Sequence, residues 1–141
     1  MIIIGSSEKS HSPHNPFTAG ERLRMMRAAL DELGLAPSKY YLIPVPDVAM
    51  HSVWVSQVIA YTPPFEIVFS NEPLTCRLFR EAGIKVETIP FYHREVYSST
   101  EVRQRMVTDE DWKGLLPYNV SKIIEDIGGV ERLKELAMTA S

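Results

Sequence analysis

Cysteine is nearly absent from this chain of 141 residues: Cys76 stands alone, so no intramolecular disulfide can form. That excludes the small disulfide-stapled scaffolds and fits a reducing compartment. No apolar run approaches the ~20 residues that span a bilayer, and Met1 to Ile4 is too short for a signal peptide. A cytoplasmic protein with no membrane partner is the expectation. An excess of positive charge is missing as well. Fifteen Lys and Arg against 18 Asp and Glu give a net charge of -3 and a pI near 5.8, with no basic footprint for a nucleic-acid partner. A local basic cluster can still hold a phosphorylated small molecule. Neither a Walker loop nor a dinucleotide fingerprint of three spaced glycines occurs. What is present, 45% hydrophobic and 23% charged residues, belongs to an ordinary folded protein. Length, and the lack of repeats, low-complexity tracts or linkers, predict a single domain over residues 1–141.

Met1-Ile2-Ile3-Ile4, ended by Gly5-Ser6-Ser7, reads as a strand buried on both faces. Thr18-Ala19-Gly20-Glu21 is a capping box, and Leu23, Met26, Leu30 and Leu33 at helical spacing predict a helix that Gly34 stops. A second strand is predicted over residues 40–46, with Pro44 pushing it towards a sheet edge. Helical spacing returns over 51–61 until Pro63-Pro64, and a third strand follows at 66–70. Pro73 then opens a helix bearing Leu74, Leu78 and Phe79, which Gly83 closes before a fourth strand at 85–90. After a polar, aromatic loop, Ser98-Ser99-Thr100-Glu101 is a second capping-box pattern, opening a helix to about Met106. The remainder reads as helical apart from a break at Gly128-Gly129. This alternation predicts an α/β domain with a mainly parallel sheet, right-handed crossovers and a helical C-terminal part. Ligands bind beyond the carboxyl ends of such strands, so the loops after residues 4, 46, 70 and 90 are the places to look for chemistry.

Gly5-Ser6-Ser7 either lets backbone N–H groups approach a phosphate or ribose, or is a plain strand-to-loop turn. His11 and His14 read as solvated loop histidines rather than a metal pair, because Pro13 forbids a regular helix through them. No residue is assigned as a metal ligand. Arg22, near a helix N-terminus, is either a phosphate-binding fork or a surface arginine. Trp54 is a core residue or a stacking platform for a flat heterocycle, and Asp47 a hydrogen-bond acceptor for ligand or a helix cap. Exposed hydroxyls and free N–H groups at Ser98, Ser99 and Thr100, with Arg103 one turn along, suit nucleotide phosphates, and a simple capped helix explains them too.

Taken together, Ser10-His11, Asn15-Pro16-Phe17-Thr18-Ala19-Gly20-Glu21-Arg22, Ile43-Pro44-Val45-Pro46-Asp47 and Val53-Trp54-Val55 form an ordered series. It continues through Thr62-Pro63-Pro64-Phe65, Ser70-Asn71, Tyr97-Ser98-Ser99-Thr100-Glu101-Val102-Arg103, Asp111-Trp112 and Leu115-Leu116-Pro117. From Ile2 to about Ala137 the chain closely resembles the archaeal nicotinamide-nucleotide adenylyltransferases. The resemblance implies a Rossmann-like nucleotidyltransferase that joins the adenylyl group of ATP to nicotinamide mononucleotide, with Mg²⁺, giving NAD and pyrophosphate. It implies that Ser98, Ser99, Thr100 and Arg103 hold ATP phosphates and that Asn71 lies near the adenosine. Arg22 and Arg103 would neutralise charge during transfer, and Gly5, Ser6, Asp47 and Trp54 would bind the nicotinamide nucleotide. A homo-oligomer is the expected assembly.

The family begins with a further strand, a Gly-rich turn and a His-x-Gly-His motif. Nothing here matches them: His11-Ser12-Pro13-His14 keeps the spacing but lacks the glycine. The expectation is a domain truncated at its N-terminus, whose flanking strands expose unpaired edges. Two other readings remain: nucleotidyl transfer to another phosphorylated acceptor, such as a flavin or pantetheine compound, and a nucleotide-binding remnant without turnover.

Overall fold

A computed structural model of the chain describes residues 1–139. The β-branched run Ile2–Ile4 forms strand β1, and Leu42–Pro44 forms β2 parallel to it, with Ile2 opposite Leu42 and Ile4 opposite Pro44. Helix α1, Ala19–Glu32, is the crossover between them. A second parallel pair joins β3, Ile67–Phe69, to β4, Lys85–Glu87, through helix α3, Pro73–Glu81. Helix α2, Trp54–Tyr61, lies between the two units in sequence. The strands are shorter than their sequence patterns, and Pro44, with no N–H to offer a further neighbour, ends a strand that pairs on one side only.

The parallel pairing is as expected, but the sheet is not continuous. Among the described residues β1 pairs only with β2, and β3 only with β4. Residues of β1 and β3 face each other instead across a cavity of about 520 Å³, walled by Trp54, Val58 and Phe79. The expectation that β1 is buried on both faces is therefore corrected. Ile4 is buried, whereas Ile2 and Ile3 are half-buried, because the edge towards β3 has no neighbouring strand.

The capping box at the start of α1 forms in full, with Thr18 Oγ1 accepting from Glu21 N at 3.1 Å and Glu21 Oε2 accepting from Thr18 N at 2.9 Å. Leu33 departs from the expected stripe: it caps the helix end and is 74% exposed, while Met25 and Ala29 turn towards the core. Gly34 follows at φ +77°, the left-handed conformation that stops a helix at little cost in glycine.

The C-terminal helices α4 (Ser99–Val107), α5 (Tyr118–Asp126) and α6 (Gly129–Thr139) carry the main core. Val102, Met106, Trp112, Val120, Ile124 and Leu133 form one buried cluster, and Phe17 and Met25 close it from the α1 side. An ion pair pins the far ends together. Arg132 Nη1 and Nη2 donate to the two oxygens of Glu21 at 2.7 and 2.9 Å, and Nη1 also donates to Pro16 O at 3.1 Å. This bidentate geometry fixes α6 to the N-terminus of α1 and so orients the loop that precedes it. None of the described helices is long and apolar enough to cross a membrane.

Candidate functional site

The loop leaving β1 is a tight turn. Ser6 is left-handed at φ +49°, Lys9 N donates to Ser6 O, and Ser7 N donates to Val45 O. A non-glycine residue in that region costs on the order of 1 kcal/mol, so the surroundings must hold it there. Arg22 does so. Its guanidinium donates to Gly5 O at 2.8 Å, Ser6 O at 3.0 Å and Lys9 O at 3.3 Å, with a longer bond from Nε to Thr18 O. Among the described residues four of the five N–H groups of the arginine are thereby engaged, and one is left without a partner.

The turn delivers three side chains to Asp47, just beyond the end of β2. Ser6 Oγ lies 3.0 Å from both carboxylate oxygens, Lys9 Nζ is 2.8 Å from Oδ2, and Glu8 Oε2 accepts from Asp47 N at 2.9 Å. The Lys9 bond, opposed by burial and aided by Ser6, holds the Asp47 carboxyl below its ordinary range, and the bond and charge of Asp47 raise the Lys9 ammonium above its own. Asp47 caps no helix, since the next helical turn, His51–Val53, starts after Met50. Ser6, Glu8, Lys9, Asp47, His51 and Trp54 share one open cavity of about 700 Å³. Trp54, the first residue of α2, also lines the cavity between β1 and β3, where Gly5 lies. A Cβ on Gly5 would meet nothing within 4 Å, so no protein neighbour dictates glycine there; open space suits the close approach of a ligand.

A second constellation surrounds the start of α4. Ser98 Oγ accepts from Glu101 N at 3.2 Å, but the expected return bond of a capping box is missing, because the Glu101 carboxylate pairs with Arg105 at 2.9 Å. The amides of Ser99 and Thr100 keep no acceptor among the described residues. Arg103 is half-buried and pairs with no acid or acceptor among the described residues, and burial pulls its pKa down. An unpaired, partly desolvated guanidinium beside free helix amides has the chemistry to take an anion. Arg22, Ser98, Ser99 and Arg103 line a common cavity of about 500 Å³ together with His14 and Asn15.

The sequence-based candidates thus divide. Arg22, Ser98, Ser99 and Arg103 come together in one cavity, and Ser6, Asp47 and Trp54 in another. Thr100 lines neither cavity. Asn71 is bonded through both ends of its amide to the backbone of Ile89, at 2.5 and 2.7 Å, so it ties the loop after β3 to the loop after β4 and aims at neither. His11 is exposed, with Nδ1 2.9 Å from Ser10 Oγ. Sequence reasoning missed Glu8 and Lys9. The available signal was a pair of opposite charges in the loop directly after β1, where α/β ligands gather.

Comparison with known proteins places the chain beside named relatives. The cytidylyltransferase-like family matches residues 1–105. The nicotinamide-nucleotide adenylyltransferase of Methanolobus tindarius is 52% identical over 137 residues, 97% of this chain and 78% of that protein. Those of Saccharolobus solfataricus and Pyrococcus furiosus are 45% and 46% identical, covering 99% and 97% of this chain and 81% and 73% of the respective relatives.

Proposed function

Because the chain belongs to the cytidylyltransferase-like family and, within it, to the nicotinamide-nucleotide adenylyltransferases, we propose that it transfers the adenylyl group of ATP to nicotinamide mononucleotide. NAD and pyrophosphate are the products. The observation that carries the site assignment is Arg103: a partly desolvated cation without a partner among the described residues, sharing a cavity with Ser98 and Ser99 at the start of α4.

In this reaction a phosphate oxygen of the mononucleotide attacks the α-phosphorus of ATP, the new P–O bond forms, and the bond to the β-phosphate oxygen breaks in line. No covalent nucleophile is required of the protein, and positioning with charge neutralisation does the work. Arg103 and the amide of Ser99 take the triphosphate. Arg22 contributes its charge and its one free N–H, while its other donors fix the loop from Gly5 to Lys9. Asp47 accepts from the carboxamide of the nicotinamide ring, and Trp54 offers the ring a flat face. Ser6 bonds to the Asp47 carboxylate and steadies it.

No carboxylate lines the cavity around Arg103, so its residues do not form a resident Mg²⁺ site. A divalent cation there would come in with the nucleotide, held by phosphate oxygens.

The test is NAD formation from ATP, nicotinamide mononucleotide and Mg²⁺, followed for the chain as it stands and for a form extended by the opening strand that the family resemblance implies. NAD formation in either form, abolished by Arg103→Ala, supports the assignment. Failure of both forms to make NAD or to bind ATP overturns it.

A further inference from the structure

Asp47 does not stand alone at the ring end of its cavity. Lys9 Nζ lies 2.8 Å from Oδ2, and Ser6 Oγ lies within 3.0 Å of both oxygens. The other titratable groups lining that cavity are Glu8, His51 and Glu72. Glu8 is bound to the Asp47 amide, and the Glu72 carboxylate caps α3 by accepting from the N–H groups of Leu74 and Thr75 at 3.1 and 2.6 Å. His51 makes no bond to Asp47 among the described residues. Among the described residues Lys9 is therefore the one cation within bonding distance of the acid, on a flexible four-carbon stem that is 56% exposed.

An acid alone selects for a ring amide. It accepts from the NH₂ group and repels the carboxylate of the corresponding acid nucleotide. An acid carrying its own mobile ammonium has a second state, in which the ammonium turns from Asp47 to a ligand carboxylate while Ser6 keeps its bond to Asp47. Building on the assignment of Asp47 to the ring substituent, we propose that Lys9 is a specificity-determining residue. It lets the cavity take the pyridine nucleotide in its carboxylate form as well as its carboxamide form. The turn that presents Lys9 is held by Arg22 through the Lys9 carbonyl, so the main chain is anchored there while the side chain is largely exposed.

The experiment is titration calorimetry of the full chain with nicotinamide mononucleotide and, separately, nicotinic acid mononucleotide, for the native protein and for Lys9→Met, Lys9→Arg and Asp47→Asn. The native protein should bind both ligands. Lys9→Met should weaken the acid form by about three- to tenfold, the range for a partly exposed charge-assisted bond, and change the amide form less. Lys9→Arg should restore the acid form, which a purely structural role in the turn would not require. A native protein that binds only the amide form, or a Lys9→Met variant that weakens both ligands equally, overturns the proposal while leaving Asp47 in place. Asp47→Asn without effect on the amide form overturns the assignment of Asp47 itself, and the proposal falls with it.

Discussion

Arg22 and Arg103 line the same cavity, yet replacing each with methionine should have opposite consequences for the fold. The Arg22 guanidinium serves four carbonyl oxygens at 2.8, 3.0, 3.3 and 3.4 Å and holds Ser6 in its left-handed turn. A hydrogen bond from a charged donor contributes about 1.5–3 kcal/mol, but two of these are long and water can reach Gly5 O and Lys9 O. The net cost of Arg22→Met should therefore be about 2–3 kcal/mol, or roughly 6–12 °C in Tm. Arg103 has no such partner among the described residues, and its charge is partly desolvated. Arg103→Met keeps the packed stem and removes that charge, so Tm should hold or rise. The affinity for ATP should fall by about 10- to 100-fold as the phosphates lose a charge-assisted donor. Thermal denaturation and ATP calorimetry on the two variants decide the matter. If Arg103→Met melts as low as Arg22→Met while ATP affinity is unchanged, Arg103 is a structural residue and the phosphate site has been misplaced.

Acid should loosen the clamp between α1 and α6. Arg132, opposed by burial and aided by the Thr18 amide, holds the Glu21 carboxyl below its ordinary range, so its stabilisation is complete above the unfolded value and is lost as pH falls through the lower folded one. Denaturant melts of the native protein and Glu21→Gln between about pH 3 and 7 should therefore converge at the acid end; parallel curves would refute the assignment. Gly129→Ala should cost about 1–3 kcal/mol by overpacking, because a Cβ there meets Ile124 Cγ2 at 2.8 Å and Phe17 Cε1 at 2.9 Å. An unchanged melting temperature would show that α6 can shift without loss. Among the described residues β1 and β3 each leave one strand edge unpaired, and pairing of these edges between copies is the prediction. Sedimentation velocity over about a hundredfold range of concentration should show association, and a monomer throughout that range would refute it.

Elements whose signal is local were legible in the sequence. The Thr18 and Glu21 box, Gly34 and Gly83 at helix ends, and the break at Gly128 all act over one turn of chain, and each is where its residue type predicts. The second box failed in part because Glu101 had two options three and four residues away, and a choice between its own cap and Arg105 is settled by packing. Strand lengths and the split sheet were not readable for a related reason. A β-branched run declares that it will be extended but not what lies beside it, and Ile2 and Ile3 are half-buried because of a neighbour they lack. At the site, residue types pointed to Asp47, Trp54 and Arg103. The partnership of Asp47 with Lys9 spans 38 positions of sequence, and only the pairing of β1 with β2 makes them adjacent.

The clamp formed by Arg22 gives the two cavities a mechanical connection. Its side chain lines the cavity of Arg103 and the α4 amides, while its donors set the backbone of Gly5, Ser6 and Lys9, whose side chains at positions 6 and 9 hold Asp47 in the other cavity. A triphosphate that draws on the one remaining N–H of Arg22 competes with, or tightens, the hold on that turn. On the proposed assignment of the two cavities, binding of the two nucleotides should therefore be coupled, and by linkage the coupling must be equal in both directions. Calorimetry of ATP in the presence and absence of nicotinamide mononucleotide measures it. Arg22→Met should abolish the coupling, whereas Lys9→Met, which leaves the backbone turn intact, should preserve it.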